Sequence, residues 1–376
     1  MADKRHQELA RLGAADWNRW RRDDGGVAPD LARADLAGAV LEGADLSYAN
    51  LFAADLTGAR LDGADLSSAN LMYALLVQAR LDGADLRQAN LFAADLSGAD
   101  LSGARLSGAH AAGARLRGTL LEGANLFVAD FTHADLTGAR LAKSNFFGSL
   151  LGGSDFSGAD CRGADFSGAD LTGARLDGAD LSGATLSDCR VRSVSAAGVK
   201  LGGAIQKDLV LSAEGEPEVA VDGLDNALAL AAMAEGSGQT ESLEGPAVLF
   251  LGAYPHERKG FLNAIREEAR KAGFVPLLLD LEGGGEPVLT IRLARLSRFV
   301  LADLGGLVEL PAALSDLVAA GGIMVRPILA GPAPAGICEG LAGMAGHDSL
   351  GDLYQTDDQS QMIMSLGLKV FRPMTG

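Results

Sequence analysis

From Leu31 to Leu201 every fifth residue belongs to one apolar series, and the register never slips. The series runs Leu31, Leu36, Leu41, Leu46, Leu51 and on to Leu186, Val191, Ala196 and Leu201. Of its 35 members 31 are Leu or Phe, the exceptions being Ala111, Cys161, Val191 and Ala196. Two residues before each centre sits a small residue, usually Ala, as at Ala34, Ala39, Ala44, Ala49 and Ala54. A period of five matches neither the 3.6 of a helix nor the 2 of a strand. A short fixed period marks a solenoid, in which each unit buries its apolar side only against its neighbours. One small and one large inward position per unit fit a chain that turns a corner every five residues, so four units make a square coil of 20. Such a rod weakens an enzyme reading for half the chain.

The unit, A-(D/N)-L-x-x as in Ala44-Asp45-Leu46 and Ala69-Asn70-Leu71, resembles the pentapeptide-repeat family over roughly 170 residues. The resemblance implies a β solenoid, a right-handed quadrilateral β-helix of about nine coils, with Leu and Phe stacked inside and Ala at the sides. At about 4.8 Å per coil the rod is expected to be about 40 Å long.

The 50 glycines lie mostly at repeat corners, as at Gly38, Gly43, Gly58 and Gly63, which is turn chemistry rather than disorder. No apolar run approaches the length of a membrane span, and the N-terminal sequence lacks a signal-peptide core. The three cysteines have no metal-ligand spacing. Cys161 is a centre and Cys189 a small inward position, so both are expected to be buried, reduced packing residues. A cytoplasmic location is the expectation. The net charge of −17 is uneven: residues 1–30 carry 0, 31–205 carry −6, 206–244 carry −8 and 245–376 carry −3. Direct nucleic-acid binding is therefore disfavoured, because no basic face compensates.

Four segments are expected. Residues 1–30 form an N-terminal helical cap, with an amphipathic helix over 4–22 carrying Trp17 and Trp20 over the open first coil; a partner-binding helix is the alternative. Residues 31–205 are the β-helix. Residues 206–244 hold a capping helix near Asp225–Met233 and an acidic connector from Glu235 to Glu244. Residues 245–376 change pattern. Strands are expected at Val248–Leu251, Val275–Leu279, Arg298–Ala302 and Ile323–Leu329. Helices are expected at Arg258–Ala272, Thr290–Leu296, Leu307–Ala319 and Gln359–Leu366. Strands alternating with helices argue for a smaller α/β domain with a parallel sheet covered on both faces.

The run from Phe250-Leu251-Gly252-Ala253-Tyr254-Pro255-His256 through Arg258-Lys259 into Arg266-Glu267-Glu268 resembles the start of TIR-like domains. It is more similar to the TIR-like module that follows pentapeptide repeats in some bacterial proteins. Phe299–Leu304 and Leu310–Leu314 fit the same module. Catalytic TIR domains and the related nucleoside deoxyribosyltransferases use a Glu in a Pro-x-Glu-Leu stretch. Here that stretch is Pro311-Ala312-Ala313-Leu314. A methyl group at Ala313 can neither attack nor hold a ribose hydroxyl. Glu309, about one turn earlier, is the candidate substitute; the competing reading is a solvated acid at a helix start. Tyr254, His256, Arg258 and Asp303 are ligand-binding candidates, since they fall at the carboxyl ends of strands in an open α/β sheet. Gly283-Gly284-Gly285 lacks the rest of a P-loop. His110 and His133 are isolated on the rod, so no metal site is expected. No cofactor is expected.

Outward positions 20 apart stack into ladders. One carries Asp35, Asp55, Leu75, Asp95 and Arg115; the next Val40, Arg60, Arg80 and Asp100; a third Asp45, Asp65, Asp85 and Arg105; the fourth begins Asn50, Asn70, Asn90. Some pentapeptide-repeat proteins imitate DNA and engage DNA gyrase, but arginines interrupt these sides and −6 is thin for imitating a duplex. Phe52, Met72, Tyr73 and Phe92 form an apolar stripe, and Phe127 with Phe147 a shorter one, both interface candidates. The leading expectation is a non-enzymatic scaffold with a protein partner or self-association. An NAD- or nucleoside-hydrolysing effector and a topoisomerase modulator are the alternatives, and a nucleotide ligand stays open.

Overall fold

A computed structural model describes residues 3–23, 27–212, 216–234, 243–281, 287–305, 307 and 309–371. Gly283–Gly285 and most of the expected Glu235–Glu244 connector lie outside the described residues, as does the side chain of His256. The chain divides into two compact units, Met1–Lys207 and Asp208–Gly376.

In the first unit the five-residue sides are closed by a recurring local bond. The amide of the small residue donates to the carbonyl of the centre three residues earlier, as Ala39 N does to Leu36 O at 3.0 Å. The residue between them that completes the corner has positive φ, from 52° at Ala93 to 71° at Gly203. A bond from i+3 to i with φ above zero only at i+2 is the pattern of a type II turn, which explains the glycines. Three further bonds per side bind each coil to the next: Leu36 N to Asp55 O at 2.7 Å, Gly38 N to Thr57 O at 2.8 Å, and Asp55 N to Ala34 O at 2.9 Å. Parallel bridges run in this way from Asp30↔Asn50 to Thr185↔Ile205.

The interior is the predicted column of Leu and Ala, nearly all at 0–1% exposure through Leu186. Phe131, Phe146, Phe156 and Phe166 widen it midway, with Phe146 and Phe166 stacked at 5.0 Å one coil apart. Where Ser or Thr takes a small inward position its hydroxyl is satisfied, as Ser149 Oγ on Leu126 O at 2.7 Å and Thr119 Oγ1 on Leu96 O at 2.9 Å. Cys161 and Cys189 are buried, and burial pushes both thiols far above their ordinary pKa.

The N-terminal cap is two helices rather than one. Helix α1 (Lys4–Leu12) and helix α2 (Ala14–Asp23) meet at Gly13, whose φ of 107° breaks the helix. Together they meet the open edge of the first coil on all four sides. Asp30 O accepts from Asp3 N at 3.0 Å, and Val40 O from Ala14 N at 3.3 Å. Asp35 O accepts from Arg11 Nε at 3.0 Å, and Asp45 O from Trp17 Nε1 at 2.7 Å. His6 Nδ1 accepts the Asp30 amide and Asn18 Oδ1 the Asp45 amide. Trp17, Trp20 and His6 pack together, with ring centroids 4.9 Å and 4.4 Å apart. An otherwise unpaired sheet edge is covered by polar contacts matched to each side.

The second unit is a seven-stranded sheet with order β1-β2-β4-β3-β5-β6-β7. Strands β3 (Ala247–Gly252), β4 (Val275–Asp280), β5 (Ser297–Asp303) and β6 (Val325–Ala330) run parallel, as their apolar runs predict. Two short strands, β1 (Leu209–Val210) and β2 (Val219–Val221), extend one edge antiparallel, and β7 (Tyr354–Thr356) extends the other. The expected linker thus carries part of a sheet, and its helix α3 (Leu224–Ala234) packs on β1 and β2. Helix α4 (Lys259–Lys271) packs with α8 (Gln359–Leu366); α5 (Pro287–Arg295) packs with α6 (Ala312–Ala320). Helix α7 (Ala335–Gly343) follows β6 and was not expected. Val248 and Phe250 of β3 join Leu278, Phe299, Ile265, Met362 and Phe371 in one core. Arg270 of α4 donates to Asp222 and Asp208, and Arg266 pairs with Asp208, which fastens the β1–β2 extension to α4.

The cap makes an acid-sensitive prediction. Burial pushes the Asp45 carboxyl up, but bonds from Arg21 and Ser47 outweigh it and hold it below the ordinary range. The unfolded chain therefore takes up the proton first, so this stabilisation is whole above about pH 4 and is lost as pH falls through the lower folded value. Both tryptophans of the chain are in the cap. Tryptophan emission is expected to shift below about pH 4 while β circular dichroism persists, and Asp45→Asn to flatten that transition. A shift that coincides with loss of the β signal and is unchanged in Asp45→Asn would contradict this.

Candidate functional site

The rod's repeating Asp and Asn residues are chiefly turn caps. Asp55 Oδ1 accepts Thr57 N at 2.9 Å, Asp165 Oδ1 accepts Ser167 N at 2.9 Å, and Asn90 Oδ1 accepts Phe92 N at 3.1 Å. The side chain folds onto the corner it precedes, an Asx turn. Arginines neutralise several of these acids, as Arg87 does on Asp85 at 2.6 Å and Arg162 on Asp160 at 2.7 Å. In sequence this position has the look of a solvated charged face, and its turn role emerges only with the corner geometry.

One corner carries different chemistry. Phe52, Met72 and Phe92 are first corner residues on successive coils, and Tyr73 is a second corner residue. Phe52 and Tyr73 meet edge to face at 5.8 Å, and Tyr73 meets Phe92 the same way at 5.8 Å. Tyr73 is 48% and Phe92 41% exposed. Tyr73 has φ of 59°, where a bulky residue is strained. A second patch stacks Phe127 on Phe147 at 5.7 Å, beside exposed Val128 and Leu150. Val128 is β-branched at φ 53°, the least favourable side-chain type for that corner. The predicted interface residues are thus brought together in two groups, and Val128 is an addition that only backbone conformation identifies.

In the second unit strand order reverses around β3, between β4 and β5, and ligands of open α/β sheets bind at the carboxyl ends of such strands. Tyr254, Arg258 and Asp303 gather there. Arg258 Nη2 donates to both Asp303 oxygens, at 2.9 and 2.7 Å, and its guanidinium lies 5.1 Å over Phe261. Gly305 N also donates to Asp303, at 3.0 Å. Arg258 is 8% and Asp303 1% exposed, so the pair is internal. Tyr254 is buried, and desolvation, then the charges of Asp303 and Asp280, push its phenol well above the ordinary value. It is a neutral donor at any ordinary pH. Its hydroxyl and Arg258 Nε have no hydrogen-bond partner among the described residues. Two glycines make the cluster possible. A Cβ on Gly252 would lie 2.9 Å from the Tyr254 hydroxyl, and one on Gly305 would lie 2.7 Å from Arg258 Nη2. Glu309 is exposed, and Ala313 is buried at the start of α6. Among the described residues no group of three or more His, Cys, Asp or Glu could hold a metal. None of the helices there is long and apolar enough to cross a membrane.

The sequence matches the profile for pentapeptide repeats (8 copies) over residues 30–67, 49–88, 69–108, 89–126, 112–148 and 149–188. The chain is a pentapeptide-repeat protein over residues 30–188. No curated protein matches it. Solved structures with which it shares sequence include HetL, a pentapeptide repeat protein involved in heterocyst differentiation regulation from the cyanobacterium Nostoc sp. strain PCC 7120. That match is 30% identical over 51% of this chain and 95% of HetL, with a TM-score of 0.36. QnrB1, a plasmid-mediated fluoroquinolone resistance protein, is 27% identical over 42% of this chain and 78% of its own, with a TM-score of 0.36. Rfr23 from the cyanobacterium Cyanothece 51142 is 28% identical over 24% and 63%, with a TM-score of 0.24. In this pentapeptide-repeat protein the Leu and Ala positions are architectural.

Arg258 separates a structural pair from an open anion anchor. Arg258→Ala leaves the Asp303 carboxylate buried and uncompensated, which is expected to cost about 3–5 kcal/mol in urea unfolding of the second unit. Stability unchanged in Arg258→Ala would mean that Asp303 is solvated and the pair is no structural element.

Proposed function

We propose that this protein is a non-enzymatic docking scaffold whose contact surface is the aromatic corner of the rod. The observation that carries it is the Phe52–Tyr73–Phe92 ladder, ordered edge to face, with Tyr73 and Phe92 exposed and Phe52 half-buried, and built partly at a corner where Gly is the unstrained choice. Exposed aromatics on a rigid support are the side chains that dominate protein interfaces. The rod supplies that support, because each corner is tied to the coils on either side.

The second unit fits the same role as a TIR-like module used for binding rather than catalysis. Ala313 offers no acid, and Glu309 is exposed. Arg258 and Asp303 neutralise each other, and Tyr254 is locked as a neutral phenol. Imitation of DNA is a poorer account, because the carboxylates cap turns and pair with arginines instead of lining a continuous anionic groove.

A photo-crosslinking residue at position 72 of the full chain, expressed in its own cells, is expected to give a defined protein adduct. The adduct should vanish with Tyr73→Ser and be absent with the probe at position 162. An adduct indifferent to Tyr73→Ser, or none, would contradict the docking role. Incubation with NAD and nucleosides is expected to give no breakdown, and turnover abolished by Glu309→Ala would overturn the non-enzymatic reading.

A further inference from the structure

The corner that holds the ladder has chemically unequal flanks. On one side lie Asn50, Asn70 and Asn90. They are neutral and partly engaged with one another, as Asn70 Nδ2 donates to Asn50 Oδ1 at 3.3 Å and Asn50 Nδ2 to Asp30 Oδ1 at 3.1 Å. On the other lie Asp55, Leu75 and Asp95, with Leu75 44% exposed. Asp55 and Asp95 cap their corners through Oδ1, to Thr57 N at 2.9 Å and Ser97 N at 3.0 Å. Arg115 approaches Asp95 only to 3.9 Å. At the end of the ladder the chain's own Arg33 lies 6.0 Å over the Phe52 ring. A guanidinium on this aromatic surface is therefore a contact that the protein already makes.

We propose that the ladder receives a cationic amphipathic helix of a partner protein, laid along the rod axis with arginines directed at Asp55 and Asp95. The inference rests on the docking role and specifies its occupant. Added strands are excluded here, because the amides and carbonyls of these coils bond to the coils above and below; recognition must be through side chains. The spacing suits a helix. Coils repeat every ~4.8 Å, and helix neighbours at i+3 and i+4 are ~4.5 and ~6 Å along the axis. The step from i to i+7, ~10.5 Å, spans the ladder from the Phe52 coil to the Phe92 coil, ~9.6 Å away. Apolar residues on that stripe meet Phe52, Tyr73 and Phe92, and basic residues on one flank meet Asp55 and Asp95. Arginine suits the site better than lysine, because its plane stacks on an aromatic ring and forks onto a carboxylate.

The test uses the full chain and three labelled synthetic helical peptides of about five turns, read by fluorescence anisotropy at physiological salt. Each has a leucine stripe at i, i+3 and i+7; the flanking residues are Arg, Lys or Glu. The Arg peptide is expected to bind several-fold tighter than the Lys peptide, with no binding by the Glu peptide. Tyr73→Ser should weaken the Arg peptide about tenfold. The double change Asp55→Asn with Asp95→Asn should weaken it about fivefold or more. Asn keeps the turn cap, as Asn50, Asn70 and Asn90 show, so the melting temperature should hold. Asp100→Asn with Asp180→Asn makes the same charge change on another side and should leave binding intact. Equal loss in both Asn pairs would mean diffuse attraction to an acidic protein and overturn the proposal. Equal binding of Lys or Glu peptides would overturn it too. Weakening by Tyr73→Ser but not by Asp55→Asn with Asp95→Asn would overturn the cationic helix while leaving the docking role intact. Indifference to all the variants would remove both.

Discussion

The corner bond from a small residue's amide to the carbonyl of the preceding centre is the contact on which the rod depends. It closes the sides in five residues, and in the type II form adopted here the second corner residue takes positive φ. Once formed, it points the centre and the small residue inward and the Asp or Asn outward. It also aims the remaining amides and carbonyls along the axis toward the neighbouring coils. Solenoid stacking then follows, since no coil can satisfy its backbone alone. Gly is the unstrained choice at that corner residue. Tyr48, Tyr73, Val128 and Lys143 hold the same conformation with side chains attached, at a local cost of about 1–2 kcal/mol each.

The N-terminal end of the rod obeys the same constraint from outside. The first coil has no predecessor to receive its edge groups, and α1 and α2 supply donors and acceptors in its place. Backbone groups of Asp3 and Ala14 serve two sides, and Arg11, Trp17, Asn18 and His6 serve edge groups by side chain. The cap is therefore an imitation of a missing coil more than an apolar lid, which is why an aspartate such as Asp45 can be decisive for it.

The rod's interior was legible in sequence because a fixed period places every residue once one is placed. Period alone does not say what an outward Asp does, and the turn-capping role of Asp55 or Asn90 came from the corner. Gly13 carried a visible signal that the cap is two helices, but the edge groups each helix meets did not. In the second unit the long apolar strands were plain. Two residues at Leu209–Val210 and three at Val219–Val221, set among acids, were too short to outweigh the composition of a linker. Helix α7 was hidden because Ala335–Gly343 contains three glycines. Tyr254, Arg258 and Asp303 were assigned to one sheet edge from strand ends alone. That Arg258 and Asp303 neutralise each other, and that Gly252 and Gly305 admit them, depends on contacts between distant segments that no local pattern encodes.

If bulky corner residues on this rod are kept for contact at the expense of stability, the urea unfolding midpoint of Val128→Gly is where the cost is read. Relieving the positive-φ strain at this exposed corner is then expected to outweigh the loss of the side chain, making the variant more stable by about 1 kcal/mol. A variant less stable than the natural chain would mean that Val128 packs for the fold, and that the exposed apolar corners are architecture rather than docking surface.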